Sequence, residues 1–293
     1  MVDWPWPSKG ATRRLAVCFI GSVFSPYYFA SGRHDPLDHC AINLCLYGAA
    51  PRWTMTERGR ASLSRSAREL AIGPSRLFLD GETLVAEIAE QATPIPRAAR
   101  GTIRIVPEAI GEKEYPLDPA GRHIWRSPAP AARVEVQMAA PHVSWSGHGY
   151  VDMNWGSEPL EAGFRSWHWS RSRLSDGSAV FFDGECRSGD PFALALRFDR
   201  EGRAEPLPVP PSQPLRRTNW LLPRRTGADP AAPARLVRTL EDTPFYARSI
   251  LAKPLFGEVA PTMHESLDLD RFASRWVQTL LPYRMPRRTG PSG

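Results

Sequence analysis

The chain has 293 residues, of which 42% are hydrophobic, so it can bury the core of one large domain or of two domains of ordinary size. Its 30 prolines and 22 glycines exclude a fold built of long helices and favour short elements separated by turns. The net charge of +6 comes mainly from scattered arginines, which argues against a nucleic-acid partner but suits an anionic membrane surface.

The N-terminal part of the chain predicts a loose leader followed by a strand. Residues 1–12, which contain the sequence Trp-Pro-Trp-Pro, form the leader. The apolar run from Leu15 to Phe24 is interpreted as a buried strand, although the two arginines before it and the small residues at 30–32 also resemble a secretory signal. No segment of the sequence is long enough to span a bilayer.

The cysteines favour neither a disulfide framework nor a zinc site. They form no CxxC pair and match no zinc-ligand spacing: Cys18, Cys40, Cys45 and Cys186. Reduced thiols in a cytoplasmic protein are therefore expected. Five side chains of metal-ligating type lie close together in the sequence: His34, Asp35, Asp38, His39 and Cys40. Because no ligand spacing supports a metal, we interpret them as a polar loop that leads into a strand.

Turn signals between short apolar segments predict an all-β fold. The clearest pattern covers residues 164–199, which read as three strands joined by Ser-Asp-Gly-Ser and Ser-Gly-Asp-Pro turns, an antiparallel meander. Helical periodicity occurs mainly in two places. Residues 61–70 could form a short helix, and residues 270–281 predict a C-terminal one.

The predicted C-terminal helix has an apolar face made of Phe272, Trp276 and Leu280, which are spaced four residues apart. Two interpretations stay open. The helix closes the end of a β-barrel, or it lies on a membrane surface with its apolar face down and the arginines that follow it at the lipid headgroups.

Two breaks near the middle of the chain predict a domain boundary. Residues 127–132 are rich in proline and alanine, and a Met-Ala-Ala-Pro sequence ends at residue 141. We therefore predict two β domains of similar size, residues 13–140 and residues 141–286, followed by a tail at residues 287–293. Small ligands often bind at domain interfaces and in the mouths of β-barrels.

Two short segments carry the side chains that are best suited to chemistry. The sequence has no GxGxxG, Walker, GxSxG or HExxH motif. On strands, His123 and Trp125 would share a face, and so would Tyr150, Asp152 and Asn154. Each segment then offers an acid–base group beside an aromatic ring. From the residues alone, a buried hydrogen-bonded histidine and an Asp/Asn pair that fixes a loop explain the same pattern.

Longer strings of residues resemble one family, the carotenoid 1,2-hydratases. They are Gly21-Ser-Val-Phe-Ser-Pro-Tyr-Tyr28, His39-Cys-Ala-Ile-Asn43, Arg52-Trp-Thr-Met-Thr-Glu-Arg-Gly-Arg60, Gly149-Tyr-Val-Asp-Met-Asn154, Arg238-Thr-Leu-Glu-Asp-Thr-Pro-Phe-Tyr-Ala-Arg248 and His264-Glu-Ser-Leu-Asp-Leu-Asp-Arg-Phe272. The resemblance runs from about Leu15 to about Pro286.

The resemblance implies two lipocalin-like antiparallel β domains and a hydro-lyase that needs no cofactor and no metal. The implied reaction adds water to the terminal C1=C2 double bond of an acyclic carotenoid, such as neurosporene or lycopene, and gives a 1-hydroxy product. The family's His-x-Trp and Tyr-x-Asp pairs fall on His123, Trp125, Tyr150 and Asp152. Because the substrate lives in the bilayer, we expect a cytoplasmic protein that contacts the inner or photosynthetic membrane peripherally.

The implied chemistry fits these residue types. An unactivated alkene is a poor base, so its protonation needs a strong and dry acid, such as a carboxylic acid kept neutral by burial. We assign this role to Asp152. The rings of Trp125 and Tyr150 would stabilise the tertiary cation by about 0.5–2 kcal/mol each. His123 could orient Asp152, relay its proton or accept a proton from the attacking water.

Six further residues are expected to contact the substrate: Asn154, Trp155, Trp167, Tyr246, His264 and Asp268. His264 and Asp268 would share a strand face and are the second choice for the acid–base pair. Three other functions stay open: a lipocalin-like carrier of a hydrophobic ligand, a related isomerase or cyclase that excludes water, and a glycosidase that uses Asp183 and Glu185.

Overall fold

A computed structural model describes residues 14–230 and 232–288. The chain forms antiparallel β-sheets with a few short helices, which confirms the predicted all-β class. The predicted leader and residues 289–293 of the predicted tail lie outside the described residues. Within the described part, no helix combines the length and the apolar character that crossing a bilayer requires.

The elements are short, apart from two long strands near the middle of the chain. The strands up to that point are β1 Leu15–Gly21, β2 Ala41–Tyr47, β3 Arg52–Met55, β4 Glu57–Arg58, β5 Leu63–Arg65, β6 Glu69–Ile72, β7 Ser75–Asp80, β8 Thr83–Gln91, β9 Ala98–Ala109, β10 Tyr115–Pro116, β11 His123–Ala140 and β12 Val143–Gly156. The later strands are β13 Phe164–Leu174, β14 Gly177–Cys186, β15 Pro191–Phe198, β16 Ala204–Pro206, β17 Ser212–Leu215, β18 Arg224–Gly227, β19 Arg235–Asp242, β20 Tyr246–Leu255, β21 Glu258–Asp268 and β22 Arg287–Arg288. The α-helices are α1 Pro26–Ala30, α2 Leu160–Gly163, α3 Leu269–Ala273 and α4 Arg275–Arg284, and Pro36–Asp38 and Arg60–Ser62 form 3-10 turns.

The chain divides into two compact units, each made of separate segments. Of the described residues, the first unit contains 14–107, 132–150 and 278–288, and the second contains 108–131, 151–230 and 232–277. The domain boundary near residue 140 remains a prediction.

The first unit contains two antiparallel arrangements of strands. β1 pairs with β2 along its whole length, which confirms the strand predicted after the leader. Its predicted burial is wrong beyond Val17, because Phe19 and Ile20 are exposed. Strands β5 to β9 form a meander. In β11, Val134, Val136 and Met138 are buried while the residues between them are exposed, as expected for a strand with one apolar face. They pack in one hydrophobic cluster with residues such as Ile72 and Ile103.

Residues 61–70 do not form the helix suggested by their pattern. A 3-10 turn leads into the β5–β6 hairpin, so the helical interpretation is wrong. The hydroxyl of Ser66 accepts hydrogen bonds from the backbone N–H groups of Arg68 and Glu69, at 3.2 and 3.1 Å. Such local bonds from serine stabilise turns in competition with helix.

The second unit is built on a seven-stranded sheet with the order β16-β15-β14-β13-β21-β20-β19. Its β13, β14 and β15 confirm the meander predicted for residues 164–199. Trp169 lies opposite Phe182 on the neighbouring strand, whereas the next residue, Ser170, lies opposite His264. Because side chains alternate along a strand, Trp169 and Phe182 share one face of the sheet, which we call the aromatic face. Ser170 and His264 share the other, which we call the polar face although it also carries the ring of Phe181.

The expected apolar face of the C-terminal helix is not formed. Ser274 has an extended backbone, with φ −70° and ψ 142°, and separates α3 from α4. Phe272 is therefore buried, whereas Trp276 and Leu280 are exposed on α4. The spacing of four residues places side chains on one face only while the helix is continuous.

The breaks predicted near the middle of the chain have different outcomes. Residues 127–132 lie inside β11, so the proline- and alanine-rich stretch does not interrupt the strand. Pro141 and His142 form the turn between β11 and β12, where the second break was predicted. As a result, β11 and β12 present the two candidate motifs from two long consecutive strands.

Candidate active site

A hydrogen bond joins one residue of each candidate motif. The indole Nε1 of Trp125, on β11, donates to Oδ2 of Asp152, on β12, at 3.0 Å. Trp125 is fully buried, and Asp152 is half-buried. The carboxyl group of Asp152 is therefore held at the edge of the Trp125 indole. The sequence predicted an aromatic face at this position and gave no signal for the hydrogen bond.

Aromatic rings surround Trp125 within the second unit. Its ring centroid lies 5.6 Å from that of Phe182, 6.3 Å from that of Phe198 and 5.8 Å from that of Tyr115. The predicted substrate-binding residue Trp167 joins the same cluster, 5.7 Å from Phe182. The Trp125–Asp152 pair therefore lies beside a set of rings that can contact an apolar chain.

His123 is buried and held on several sides. Its backbone N–H donates to Oδ2 of Asp118 at 2.7 Å, and its ring centroid lies 4.7 Å from that of Phe164. Its Nε2 lies 3.3 Å from Oε1 of Glu158, which also lies 3.3 Å from Nε of Arg122. Because a carboxylate only accepts, Nε2–H is the donor in this contact.

Two glycines make room for the imidazole of His123. A Cβ atom at Gly163 would lie 2.4 Å from Nε2, and one at Gly156 would lie 2.8 Å from Nδ1. Both distances are shorter than a nonbonded contact allows, so any larger residue would displace the ring.

Asp118 is a charged support for the His123 backbone. Burial raises the pKa of Asp118, but the backbone N–H donors of His123, Arg122 and Ala120 outweigh it and hold that pKa below its ordinary value. A carboxylate that stays ionised in this way fixes the turn before β11.

The other residues predicted on β12 lie in different surroundings. Tyr150 is buried and precedes Asp152 by two residues on the same strand, but it belongs to the first unit. Asn154 and Trp155 are exposed near the end of β12. The hydrogen-bonded and aromatic contacts of the site therefore involve Asp152, and not Asn154 or Trp155.

Tyr246 lies on the aromatic face of the seven-stranded sheet. It is opposite Leu267, which is itself opposite Trp167, so the three residues form one row across the strands. The guanidinium of Arg248, which pairs with Glu265 at 2.9 Å, lies 5.4 Å from the Tyr246 ring centroid. This row extends the aromatic face from the Trp167 cluster.

The structure does not bring His264 and Asp268 to the Trp125–Asp152 pair. His264 lies on the polar face of the sheet, where its Nε2 donates to the backbone carbonyl of Arg225 at 2.8 Å. Burial lowers the pKa of His264 to about 3, so its imidazole is neutral. Asp268 caps α3 by accepting from the backbone N–H of Arg271 at 2.9 Å. Both side chains have structural partners.

The polar loop near the N-terminus is organised by ion pairs. His39 Nδ1 lies 2.9 Å from Glu57, and Asp38 pairs with Arg287 at 2.5 Å. The backbone N–H of Arg60 and the Arg287 guanidinium hold the pKa of Asp38 below its ordinary value despite partial burial. No group of three or more metal-ligating side chains among residues 14–230 and 232–288 is placed to hold a metal ion.

The family of the chain follows from its sequence similarity. The family model for carotenoid hydratase CrtC matches residues 16–292. The chain belongs to the carotenoid hydratase family. A protein of Thiocapsa roseopersicina named acyclic carotenoid 1,2-hydratase is 50% identical over 279 residues, which cover 94% of this chain and 69% of the relative. One of Cereibacter sphaeroides with the same name is 43% identical over 273 residues, or 93% of this chain and 98% of the relative. These matches confirm the resemblance and establish this carotenoid hydratase as a hydro-lyase.

The fold of this carotenoid hydratase has a known structural counterpart. A solved structure of a protein assigned as an AttH, from Nitrosomonas europaea, matches with a TM-score of 0.57 and covers 78% of this chain and 80% of that one. The identity is 13%, so the likeness concerns the fold alone. It agrees with the predicted lipocalin-like class.

Four supporting residues were missed by the sequence analysis: Asp118, Gly156, Glu158 and Gly163. Glu158 lies between β12 and α2, where no strand periodicity points to its direction. The two glycines were the only available signal, because a glycine near a candidate residue often marks a close approach of the backbone.

Proposed function

We propose that this carotenoid hydratase adds water to the terminal C1=C2 double bond of acyclic carotenoids such as neurosporene and lycopene, without a cofactor. The product is a 1-hydroxy carotenoid, a tertiary alcohol. The observation that carries the proposal is the hydrogen bond from Trp125 to Asp152 beside the aromatic cluster of the second unit. The names of the relatives support the substrate class.

Asp152 is the proposed acid. Its proton moves to C2 of the substrate, the C1=C2 π electrons form the new C–H bond, and C1 becomes a tertiary cation. The indole N–H that donates to Oδ2 stabilises the carboxylate left behind, and it assigns the acidic proton to the other oxygen. The ring of Trp125 is proposed to stabilise the cation by about 0.5–2 kcal/mol. The same role for Tyr150, which belongs to the first unit, stays a prediction from the sequence.

His123 is the proposed base for the second half of the reaction. A water oxygen bonds to C1, and the proton it loses passes to the imidazole. The carboxylate of Glu158, 3.3 Å from Nε2, then faces the imidazolium and stabilises it. Return of this proton to Asp152 restores the enzyme, so one water is consumed and no other reactant is needed.

The test uses purified protein and lycopene in detergent micelles without added cofactor, with analysis of the pigments by mass spectrometry. A product that has gained one water supports the proposal. Oxygen-18 water labels the new hydroxyl, and deuterium from heavy water enters C2. Asp152→Asn abolishes the product while the protein stays folded, whereas Asp176→Asn, an exposed aspartate paired with Arg197, keeps it.

The same assay separates the other candidate functions. A carrier retains unchanged pigment and is indifferent to Asp152→Asn, and an isomerase or cyclase gives a product with the mass of the substrate. The glycosidase alternative has less support, because Asp183 lies 2.8 Å from the Arg225 guanidinium and Glu185 contacts the same side chain at 3.5 Å. We therefore do not propose it.

The proposed substrate also indicates where in the cell the enzyme acts. An acyclic carotenoid is a hydrocarbon that partitions into bilayers, so we propose a cytoplasmic hydratase that contacts the inner or photosynthetic membrane from its surface. Peripheral contact needs apolar side chains that are exposed at the protein surface.

A further inference from the structure

An exposed aromatic patch stands out on the second unit. Trp220, in the loop between β17 and β18, stacks on Trp276 at the start of α4, with ring centroids 6.1 Å apart and an interplanar angle of 28°. Trp220 and Trp276 are 46% and 47% exposed, and Leu221 beside them is 61% exposed. We call these three residues the tryptophan patch. A single exposed apolar side chain is ordinary, but a stacked pair of tryptophans with a leucine is a contiguous apolar surface.

The loop that carries this patch is held in place. The guanidinium of Arg271 donates to the backbone carbonyls of Trp220 at 2.7 Å and of Leu221 at 3.4 Å. The Thr218 hydroxyl accepts from the N–H of Leu222 at 3.1 Å, and the Leu222 side chain is buried. The apolar tips are therefore presented by a fixed loop, and their exposure does not result from a loose chain.

The backbone at Leu221 supports the same conclusion. Its φ is +60°, a left-handed conformation that is uncommon for a leucine and more often taken by glycine or asparagine. The loop thus adopts a costly conformation that directs an apolar side chain into solvent. Such conformations persist where surrounding contacts impose them, often at functional sites.

The rim of the patch is positively charged. Arg216 and Arg217 lie at the start of the same loop and are exposed, and Arg275 is exposed next to Trp276. The nearby acid Asp242 accepts a hydrogen bond from the backbone N–H of Asn219 at 2.7 Å. Exposed tryptophans with arginines around them match the interface of an anionic bilayer, where indoles lie at the headgroup level and arginines contact lipid phosphates.

We infer that the tryptophan patch is the surface by which this protein binds anionic lipid bilayers. The inference rests on the proposed function only for its biological purpose, since lipid binding requires no carotenoid. Trp220, Leu221 and Trp276 enter the headgroup region, and Arg216, Arg217 and Arg275 contact the anionic headgroups. This assignment replaces the apolar face of Phe272, Trp276 and Leu280 expected for the C-terminal helix, because Phe272 is buried.

The first test measures binding of the full chain to vesicles without pigment. Vesicles of phosphatidylcholine with phosphatidylglycerol bind the wild type, with a blue shift of tryptophan emission, and high salt weakens the binding. The double variant Trp220→Ser/Trp276→Ser and the single variant Leu221→Gly each lower affinity, the former by about tenfold or more. Glycine suits the positive φ at position 221, so Leu221→Gly removes the side chain without straining the loop.

The matched control is Phe256→Ser. Phe256 is 48% exposed with the Arg197 guanidinium 5.0 Å from its ring, but it lies in the β20–β21 turn, at the other end of the strands from the Arg271 contacts. Unchanged binding of this control beside weakened patch variants supports the inference. Equal loss in the control, or full binding by the patch variants, overturns it. The inference is also overturned if the wild type does not bind vesicles but forms a dimer, and if Trp220→Ser/Trp276→Ser abolishes that dimer. A second copy of the chain is then the partner.

A second test separates this inference from the proposed function. With lycopene in detergent micelles, the patch variants keep the wild-type kcat, because the patch lies outside the proposed catalytic residues. With lycopene in anionic vesicles, the same variants lose activity through a higher apparent KM. Vesicle binding without any hydrated product would support the lipid-binding surface and refute the hydratase proposal.

Discussion

Oε1 of Glu158 lies 3.3 Å from Nε2 of His123, so the imidazole of the His-x-Trp motif has a carboxylate partner from the loop after β12. This relationship gives the proposed base an orientation and a counter-ion. It also extends the candidate site by a residue that lies outside both motifs.

Replacement of Glu158 by leucine is expected to lower kcat by about tenfold or more with little change in KM, because the imidazolium loses its counter-ion. Glu158→Asp restores part of the rate. Nitrogen NMR of the histidine ring should show loss of the Nε2–H tautomer preference in Glu158→Leu. The exposed carboxylate Glu185 provides the control, and an equal loss in Glu185→Gln would argue against a specific role for Glu158.

Trp125→Phe is expected to reduce kcat without preventing substrate binding, because it keeps a ring in the cluster but removes the donor to Asp152. The lost hydrogen bond to a charged group corresponds to about 1.5–3 kcal/mol. Rates with lycopene and urea unfolding measure the two effects. Trp167→Phe, which keeps its ring contacts with Phe164 and Phe182, should change kcat much less. Equal effects of the two substitutions would refute the importance of the indole N–H.

Gly163→Ala is expected to displace His123, because the new Cβ would lie 2.4 Å from Nε2. We predict loss of most activity and a fall of about 1–3 kcal/mol in the free energy of unfolding, as for an overpacked core. The neighbouring substitution Ala162→Ser, at an exposed position, serves as control. Retained activity in Gly163→Ala would show that the position of the imidazole is not critical.

Lys253 should make stability depend on pH. Burial lowers its pKa from 10.5 to about 7, so between these values the unfolded state binds more protons than the folded state. The free energy of unfolding should therefore rise as pH increases from 7 to 10.5, by at most about 1.4 kcal/mol per pH unit. Denaturant unfolding across this range measures the effect. The free energy of unfolding should rise less in Lys253→Met than in the wild type, and it should rise as in the wild type in Lys113→Met, because Lys113 is exposed.

Arg287 is expected to stabilise the first unit through a buried carboxylate. Glu57 is fully buried and is hydrogen-bonded by the Ser25 hydroxyl, His39 Nδ1 and Arg287. Arg287→Gln should cost about 3–5 kcal/mol, because it leaves a buried charge without its strongest partner. The adjacent Arg288 is exposed, so urea unfolding of Arg288→Gln should match the wild type within about 0.5 kcal/mol.

Local patterns predicted the elements whose neighbours lie close in sequence. Turn residues such as Asp176-Gly177 define hairpins directly, so the meander of β13 to β15 could be predicted from the sequence. The alternation of His123 and Trp125 gave a shared strand face for the same reason.

Tertiary contacts decided the features that the sequence left open or predicted wrongly. Ser66 closes a hairpin where spacing suggested a helix, and Ser274 ends α3 before Trp276 can share a face with Phe272. The contact between Glu158 and His123 joins positions 35 residues apart, with Glu158 on an irregular segment. No period in the sequence reports such a contact.

The two unlike faces of the seven-stranded sheet have a chemical consequence. The amine of Lys253 lies 3.2 Å from the Ser170 hydroxyl, on the side of His264, whereas Trp169 and Phe182 project from the opposite side. In the proposed mechanism the carbocation forms beside Trp125 and Phe182, so a layer of backbone screens it from a nucleophilic amine that would trap it irreversibly. On this proposal, the position of Lys253 prevents alkylation of the enzyme by its own intermediate, and water remains the nucleophile.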